Sequence, residues 1–188
     1  MKILGISGSL RDGSYNTKLL RTASELLPPE VEFEQWNALK AVPPYDEDDD
    51  VQPAPAAVAA LREAIAGADA VLFATPEYNW SIPGVLKNAI DWVSRPLASN
   101  PLRNKPVAVI GASTGAFGAV WSQAELRKVL SSTGARVLEN EVAVGHAQTR
   151  FDDDGRLADA ELREQLGEVL EALAAEVAAR PRVLAGAA

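Results

Sequence analysis

Cysteine is absent from this chain of 188 residues, and histidine occurs once, as His146. Without thiols there is no disulfide framework, no cysteine-ligated zinc or iron–sulfur centre and no thiolate nucleophile. A single imidazole excludes a multi-histidine metal site. No apolar run approaches the roughly 20 residues that cross a bilayer. The opening Met1-Lys2-Ile3-Leu4-Gly5 passes directly into a strand pattern, with no long apolar leader. The expectation is a cytoplasmic protein with no membrane partner. Positive charge is also scarce: 18 Lys+Arg face 26 Asp+Glu, for a net charge of −8. General nucleic-acid binding needs a basic face, so that class is disfavoured, while a local anion site stays compatible. Apolar residues make up 47% of the chain, ample for one core.

Short β-rich runs alternate with helical patterns. Lys2–Ser7 reads as a buried strand. Tyr15–Leu27 reads as a helix with Leu19, Leu20, Ala23, Leu26 and Leu27 on one face, stopped by Pro28-Pro29. Val31–Trp36 is a second strand, and residues 37–53 are a loop with three prolines and an acidic run. Pro55–Ala66 is helical, Asp69–Thr75 a strong buried strand, Val85–Val93 a short helix and Pro106–Gly111 another strand. Ala119–Thr133 is a helix ended by Gly134, and Arg136–Val144 a fifth strand region, continuous or broken. Asp159–Arg180 is a long last helix closed by Pro181. Continuous apolar strands alternating with helices predict a parallel sheet covered on both faces. Five strands predict the doubly wound flavodoxin-like order 2-1-3-4-5. One domain is expected over residues 1–182, with 183–188 a frayed tail.

Such sheets bind ligands beyond the C-terminal ends of their strands, at the switch point between strands 1 and 3. The loops after Ser7, Thr75 and Gly111 are therefore the places to search. The first runs from Ser7 to Thr17 and offers the hydroxyls of Ser7, Ser9, Ser14 and Thr17, the amide of Asn16 and the guanidinium of Arg11. A phosphate monoester needs convergent donors, which a helix N-terminus, hydroxyls and an arginine supply together. The bland alternative is that these residues only turn the chain and cap a helix. Gly8 and Gly13 have the spacing of a P-loop, but Ser14-Tyr15 stands where Lys-Ser/Thr is required. Gly5, Gly8 and Gly13 do not fit the dinucleotide fingerprint either.

The second loop, Thr75-Pro76-Glu77-Tyr78-Asn79-Trp80-Ser81-Ile82-Pro83-Gly84, is stiffened by proline at both ends. It can lie along a flat heterocycle, or simply cover the sheet edge. The third, Gly111-Ala112-Ser113-Thr114-Gly115, lets a ligand approach its backbone closely. It also matches the G-x-S-x-G elbow of serine hydrolases, with Ser113 as nucleophile. That rival would need His146 as base and Glu125, Glu139 or Glu141 as its acid.

Taken together, Gly8-Ser9-Leu10-Arg11-Asp12-Gly13-Ser14-Tyr15-Asn16 and Pro76-Glu77-Tyr78-Asn79, continuing through Ser81-Ile82-Pro83-Gly84-Val85-Leu86-Lys87-Asn88-Ala89-Ile90-Asp91-Trp92, resemble the NADPH-dependent FMN reductase family of flavodoxin-like proteins. That family includes bacterial quinone, chromate and azo-dye reductases. The resemblance implies non-covalent FMN, with NADPH or NADH as co-substrate. It implies that Ser9, Arg11, Ser14, Tyr15, Asn16 and Thr17 surround the FMN phosphate. Pro76, Glu77, Tyr78 and Asn79 would flank the isoalloxazine ring, with Ser113 near the flavin. A nicotinamide would stack on the ring, pass hydride to N5 and leave, and a quinone, flavin, azo or metal-oxyanion acceptor would take its place, giving ping-pong kinetics. No catalytic side chain is then needed, because the cofactor carries the chemistry. A homodimer or homotetramer is implied, with the flavin near a subunit interface. An FMN electron carrier without NAD(P)H oxidation and a phosphate-binding module without activity stand beside this reading.

Other features read more plainly. Asp46–Asp50 lacks the spacing of a calcium loop and reads as a solvated lid or interface segment, so no metal site is expected. His146 reads as a surface or interface residue, Trp92 as core or interface, and Trp121 as either packing or ligand-facing.

Overall fold

The computed structural model describes residues 1–179. Six strands form its sheet: β1 (Lys2–Ser7), β2 (Glu32–Trp36), β3 (Ala70–Thr75), β4 (Pro106–Ala112), β5 (Arg136–Val137) and β6 (Ala143–Val144). All pairings are parallel, and the order is β2-β1-β3-β4-β5, with β6 also on β4. The expected 2-1-3-4-5 order is therefore present. The helices are α1 (Tyr15–Leu26), α2 (Ala56–Gly67), α3 (Gly84–Val93), α4 (Val120–Ser132) and α5 (Ala160–Ala178).

Side chains of β1, β3 and β4 alternate between two apolar layers, as the two-residue strand period requires. Leu4, Ile6, Val71, Phe73, Val107 and Val109 join α2, α3 and α4 on one face. Ile3, Ala70, Leu72, Ala108 and Ile110 join α1 and α5 on the other. β3 and β4 are buried along their whole length, which is why they read as continuous apolar runs.

The fifth strand region is broken. β5 pairs with Pro106–Val107 and β6 with Gly111–Ala112 on the same side of β4. Between them Leu138 and Val142 stay buried, while Glu139, Asn140 and Glu141 are exposed. Three consecutive polar residues cannot enter a sheet covered on both faces, so the chain loops outward there.

Trp92 is fully buried and donates its indole N–H to the Pro43 carbonyl at 2.9 Å, so it belongs to the core. The acidic segment is anchored at its end: Arg62 pairs with Asp50 at 3.1 Å and donates to the Trp92 carbonyl at 2.8 Å. The expected closure at Pro181 and the tail 183–188 lie outside the described residues.

Candidate functional site

β1, β3 and β4 deliver three loops to one end of the sheet, and each is held by its own polar chemistry. In the first, Ser14 is the N-cap of α1 and its Oγ accepts from the Thr17 N–H at 3.3 Å. Tyr15 and Asn16 follow as the first helical residues, whose N–H groups a helix cannot pair internally. The Arg11 guanidinium donates to the Gly13 carbonyl at 2.8 Å and lies 5.3 Å from the Tyr15 ring centroid. Its partner is a neutral carbonyl, so a phosphate would replace a weak contact with a charge-assisted one. The Lys18 ammonium stands at the same 5.3 Å from that ring.

Asn16 is buried, and its amide bridges to β4: Nδ2 donates to the Ala112 carbonyl and Oδ1 accepts from the Ala112 N–H, both at 2.9 Å. This ties the first loop to the third. Thr17 donates to Ser7 Oγ at 3.2 Å, bracing the loop from behind.

The second loop turns sharply at Asn79 and Trp80, both with positive φ, 51° and 63°. Tyr78 and Ser81 exchange backbone hydrogen bonds of 3.1 Å across them, a tight two-residue turn of the I′ type. A tryptophan in this conformation costs about 1 kcal/mol or more. Its indole meets Trp121 edge-on at 4.2 Å, and Trp121 meets Phe117 at 5.1 Å. All three rings are exposed, as is Tyr78. Trp121 therefore belongs to an exposed aromatic cluster that joins the second loop to α4.

The third loop lies against β6 through two glycines. A Cβ on Gly145 would stand 2.2 Å from the Ala116 carbonyl oxygen, and one on Gly118, whose φ is +59°, would stand 2.3 Å from the Ala143 carbonyl carbon. Such close backbone approach admits only glycine. The Ser113 carbonyl accepts from the Ala147 N–H at 3.0 Å, and Ser113 Oγ accepts from the Gly115 N–H at 3.1 Å.

These loops enclose a cavity of about 290 Å³. Ser9, Arg11, Ser14, Tyr15 and Asn16 line it from the first loop. Pro76, Glu77 and Tyr78 line it from the second, and Ser113 from the third. Thr17 and Asn79 are the expected site residues that it does not include. Ala112 and Thr114 complete the wall beside Ser113; only their adjacency to Ser113 could have signalled them. A larger groove of about 560 Å³ lies between residues 136–140 and α5. It runs along β5, which pairs with Pro106–Val107 at the start of β4, away from the C-terminal strand ends where such sheets bind ligands, so the smaller cavity is the candidate site.

The donor set fits an elongated ligand with an anionic end. Hydroxyls, helix-start N–H groups and Arg11, which has no carboxylate partner among the described residues, converge at one end, while Pro76, Glu77 and Tyr78 line the cavity from the second loop. The hydrolase triad is not assembled. No hydrogen bond joins the Ser113 and His146 side chains, and His146 meets the third loop through its main-chain N–H, which donates to the Gly115 carbonyl at 2.9 Å. The His146 ring is exposed beside a separate recess with Arg150 and Asp159.

Fold and cavity thus define a doubly wound α/β protein with a phosphate-type pocket at the switch point. The sequence profile of the NADPH-dependent FMN reductase family matches residues 1–149. An NAD(P)H-dependent FMN reductase of Pseudomonas aeruginosa is 48% identical over 174 residues, covering 92% of this chain and 93% of that protein. A quinone reductase of Escherichia coli is 40% identical over 146 residues, 77% of each. Among solved structures, the flavoenzyme NAD(P)H:(acceptor) oxidoreductase of Paracoccus denitrificans superposes with a TM-score of 0.83 at 33% identity, covering 94% of this chain and 97% of that one. The chain belongs to the NADPH-dependent FMN reductase family and is an oxidoreductase. FMN and NAD(P)H are the cofactors that membership brings. No helix among the described residues is long and apolar enough to cross a membrane.

Proposed function

We propose that this chain reduces quinones with NAD(P)H through bound FMN by a ping-pong mechanism. The observation that carries the reading is the convergence of the first-loop donors and the Pro76–Tyr78 wall on one cavity at the switch point. FMN, when bound, would supply the two-electron redox chemistry that links nicotinamide and acceptor. The balance is NAD(P)H, a proton and a quinone giving NAD(P)⁺ and a hydroquinone.

The chain's own part is binding and orientation. Ser9, Ser14 and the α1 N-terminus would hold the phosphate, and Arg11, now on the Gly13 carbonyl, would pair with it. Pro76, Glu77 and Tyr78 would flank the ring, with Ser113 lining the same cavity. Thr17 and Asn79 act behind this wall, as brace and turn residue. Flavin, azo and metal-oxyanion acceptors share the open site with quinones. Tyr78, Trp80, Phe117 and Trp121 form an exposed apolar patch at its rim, which supports a homodimer or homotetramer covering it. The setting is cytoplasmic, where reduced nicotinamide is available.

The test is anaerobic reduction followed by steady-state kinetics. NADPH should bleach the flavin, and a quinone should restore its colour. Double-reciprocal plots at several quinone concentrations should run parallel. Intersecting lines would exclude the ping-pong order. A flavin that NADPH and NADH leave coloured would make the protein an electron carrier.

A further inference from the structure

The Glu77 carboxylate faces α4. Its Oε2 accepts from the backbone N–H groups of Trp121 and Ser122, both at 3.1 Å. The helix needs this partner. Its own N-cap position is Ala119, in a left-handed conformation with φ 64°, and alanine has no side-chain oxygen to offer. No acidic residue occupies its first turn. Val120 and Gln123 find backbone acceptors in Phe117 and Ala119. Trp121 and Ser122 are thus served by a carboxylate that reaches them from 44 and 45 residues earlier in the chain. Initial helix N–H groups carry partial positive charge, and an anion there is favoured.

The same turn of α4 grips the second loop elsewhere. The Ser122 hydroxyl, fully buried, donates to the Pro76 carbonyl at 2.9 Å. The Thr75 hydroxyl reaches that carbonyl at 2.8 Å and lies 3.0 Å from Ser122 Oγ. One turn on, Glu125 accepts from Ser81 Oγ at 2.6 Å. Residues 76, 77 and 81 are therefore fixed to one helix, and residues 76–78 line the cavity. Glu77 thus lines the cavity while its carboxylate is engaged on α4.

We propose that Glu77 is a positioning residue for the flavin ring: as the cap of α4 it fixes the Pro76–Tyr78 wall, with no need to touch the cofactor. This rests on the reading that FMN occupies this cavity with its ring along that wall. A cap requires an oxygen acceptor and not a full charge, so glutamine can serve where alanine cannot. It also acts at the ring end, so its loss must weaken FMN and riboflavin alike, whereas loss of a phosphate ligand weakens FMN alone.

The experiment uses the flavin-free full chain and its Glu77→Ala, Glu77→Gln and Ser122→Ala variants. Amide hydrogen exchange is read at Trp121 and Ser122, and FMN and riboflavin affinities by quenching of flavin fluorescence. In Glu77→Ala, exchange at both amides should rise about tenfold or more, and both flavins should bind about tenfold more weakly. Glu77→Gln should recover most of both effects. Ser122→Ala should weaken both flavins by a similar factor to each other. Unchanged exchange in Glu77→Ala would refute the cap. Faster exchange with undiminished flavin binding would reduce Glu77 to a structural residue and overturn the positioning role. So would a loss confined to FMN, or a glutamine variant that restores exchange without restoring flavin affinity. A wild-type chain that binds neither flavin would instead refute the cavity assignment, while the exchange measurement would still judge the cap.

Discussion

Arg11→Ala tests the phosphate end of the cavity directly. Among the described residues the guanidinium donates to the Gly13 carbonyl alone, at 2.8 Å, and packs over Tyr15. Binding a phosphate monoester gives it a charge-assisted contact worth about 1.5–3 kcal/mol. Giving up the Gly13 bond returns about 1 kcal/mol of that. The net loss in the alanine variant is therefore about 0.5–2 kcal/mol, or roughly 2–30-fold in FMN affinity at 1.4 kcal/mol per tenfold. Arg11 is exposed, so the difference should shrink as salt rises. The assay is titration of flavin-free protein with FMN and with riboflavin, followed by fluorescence quenching at low and high ionic strength. Riboflavin lacks the phosphate, and its affinity should not move. Equal weakening of FMN and riboflavin would show that Arg11 shapes the cavity instead of binding its anion. Unchanged FMN affinity would refute the phosphate assignment.

Asn16→Ala strands the buried N–H and carbonyl of Ala112, at about 1–3 kcal/mol for each unsatisfied group; a fall in Tm of roughly 4–24 °C is expected, and one below about 2 °C would contradict the bridge. Gly145→Ala forces the Ala116 carbonyl away from a Cβ that would otherwise stand 2.2 Å from it, so both Tm and FMN affinity should fall, and retention of both would show that the third loop tolerates displacement. His146→Ala should leave turnover with NADPH and a quinone within about twofold, since the ring lies outside the cavity; a large fall in hydride transfer would place it in the reaction. The Lys2 ammonium is held above its ordinary pKa of 10.5 by hydrogen bonds to Glu34 and Glu32. Its contribution to stability is therefore present below that value and lost as pH rises through the higher folded value. A Lys2→Met variant should lose less stability than wild type across this alkaline range in urea titrations, and an identical decline would refute the linkage.

The fold was legible because it is written in local patterns. β3 and β4 are unbroken apolar runs, and α1 and α5 carry apolar faces, so the parallel sheet follows from alternation and its order from the count of five strands set against the doubly wound pattern. The break in the fifth strand was open at that level: Glu139-Asn140-Glu141 signals trouble, but only the pairing of Leu138 and Val142 with β4 shows that the chain leaves and rejoins the same strand edge. The site was legible as three loops. What individual residues do in it was less so, because hydrogen bonds across loops leave no spacing in sequence. Asn16 reads as a phosphate donor yet braces Ala112, 96 residues away. Ser122 carries no motif and still holds Pro76.

The charge balance of the molecule gives these braces a second purpose. A chain with net charge −8 must bind an anionic cofactor while a carboxylate, Glu77, stands in the wall of the same cavity. Left free, that carboxylate would oppose the phosphate and any anionic form of the bound ring. Turned onto the α4 N-terminus, it meets the roughly half unit of positive charge that a helix start presents. The anion end then keeps neutral hydroxyls, helix-start N–H groups and Arg11, none of which needs a large basic surface. The side chains spent on bracing, Asn16, Thr17 and Glu77, stiffen the loops before any ligand arrives, so less ordering is left to oppose binding. Residues with one sequence signature therefore divide into those that meet the ligand and those that hold the first group in place. That division depends on what the neighbouring loop offers, and so it belongs to tertiary structure.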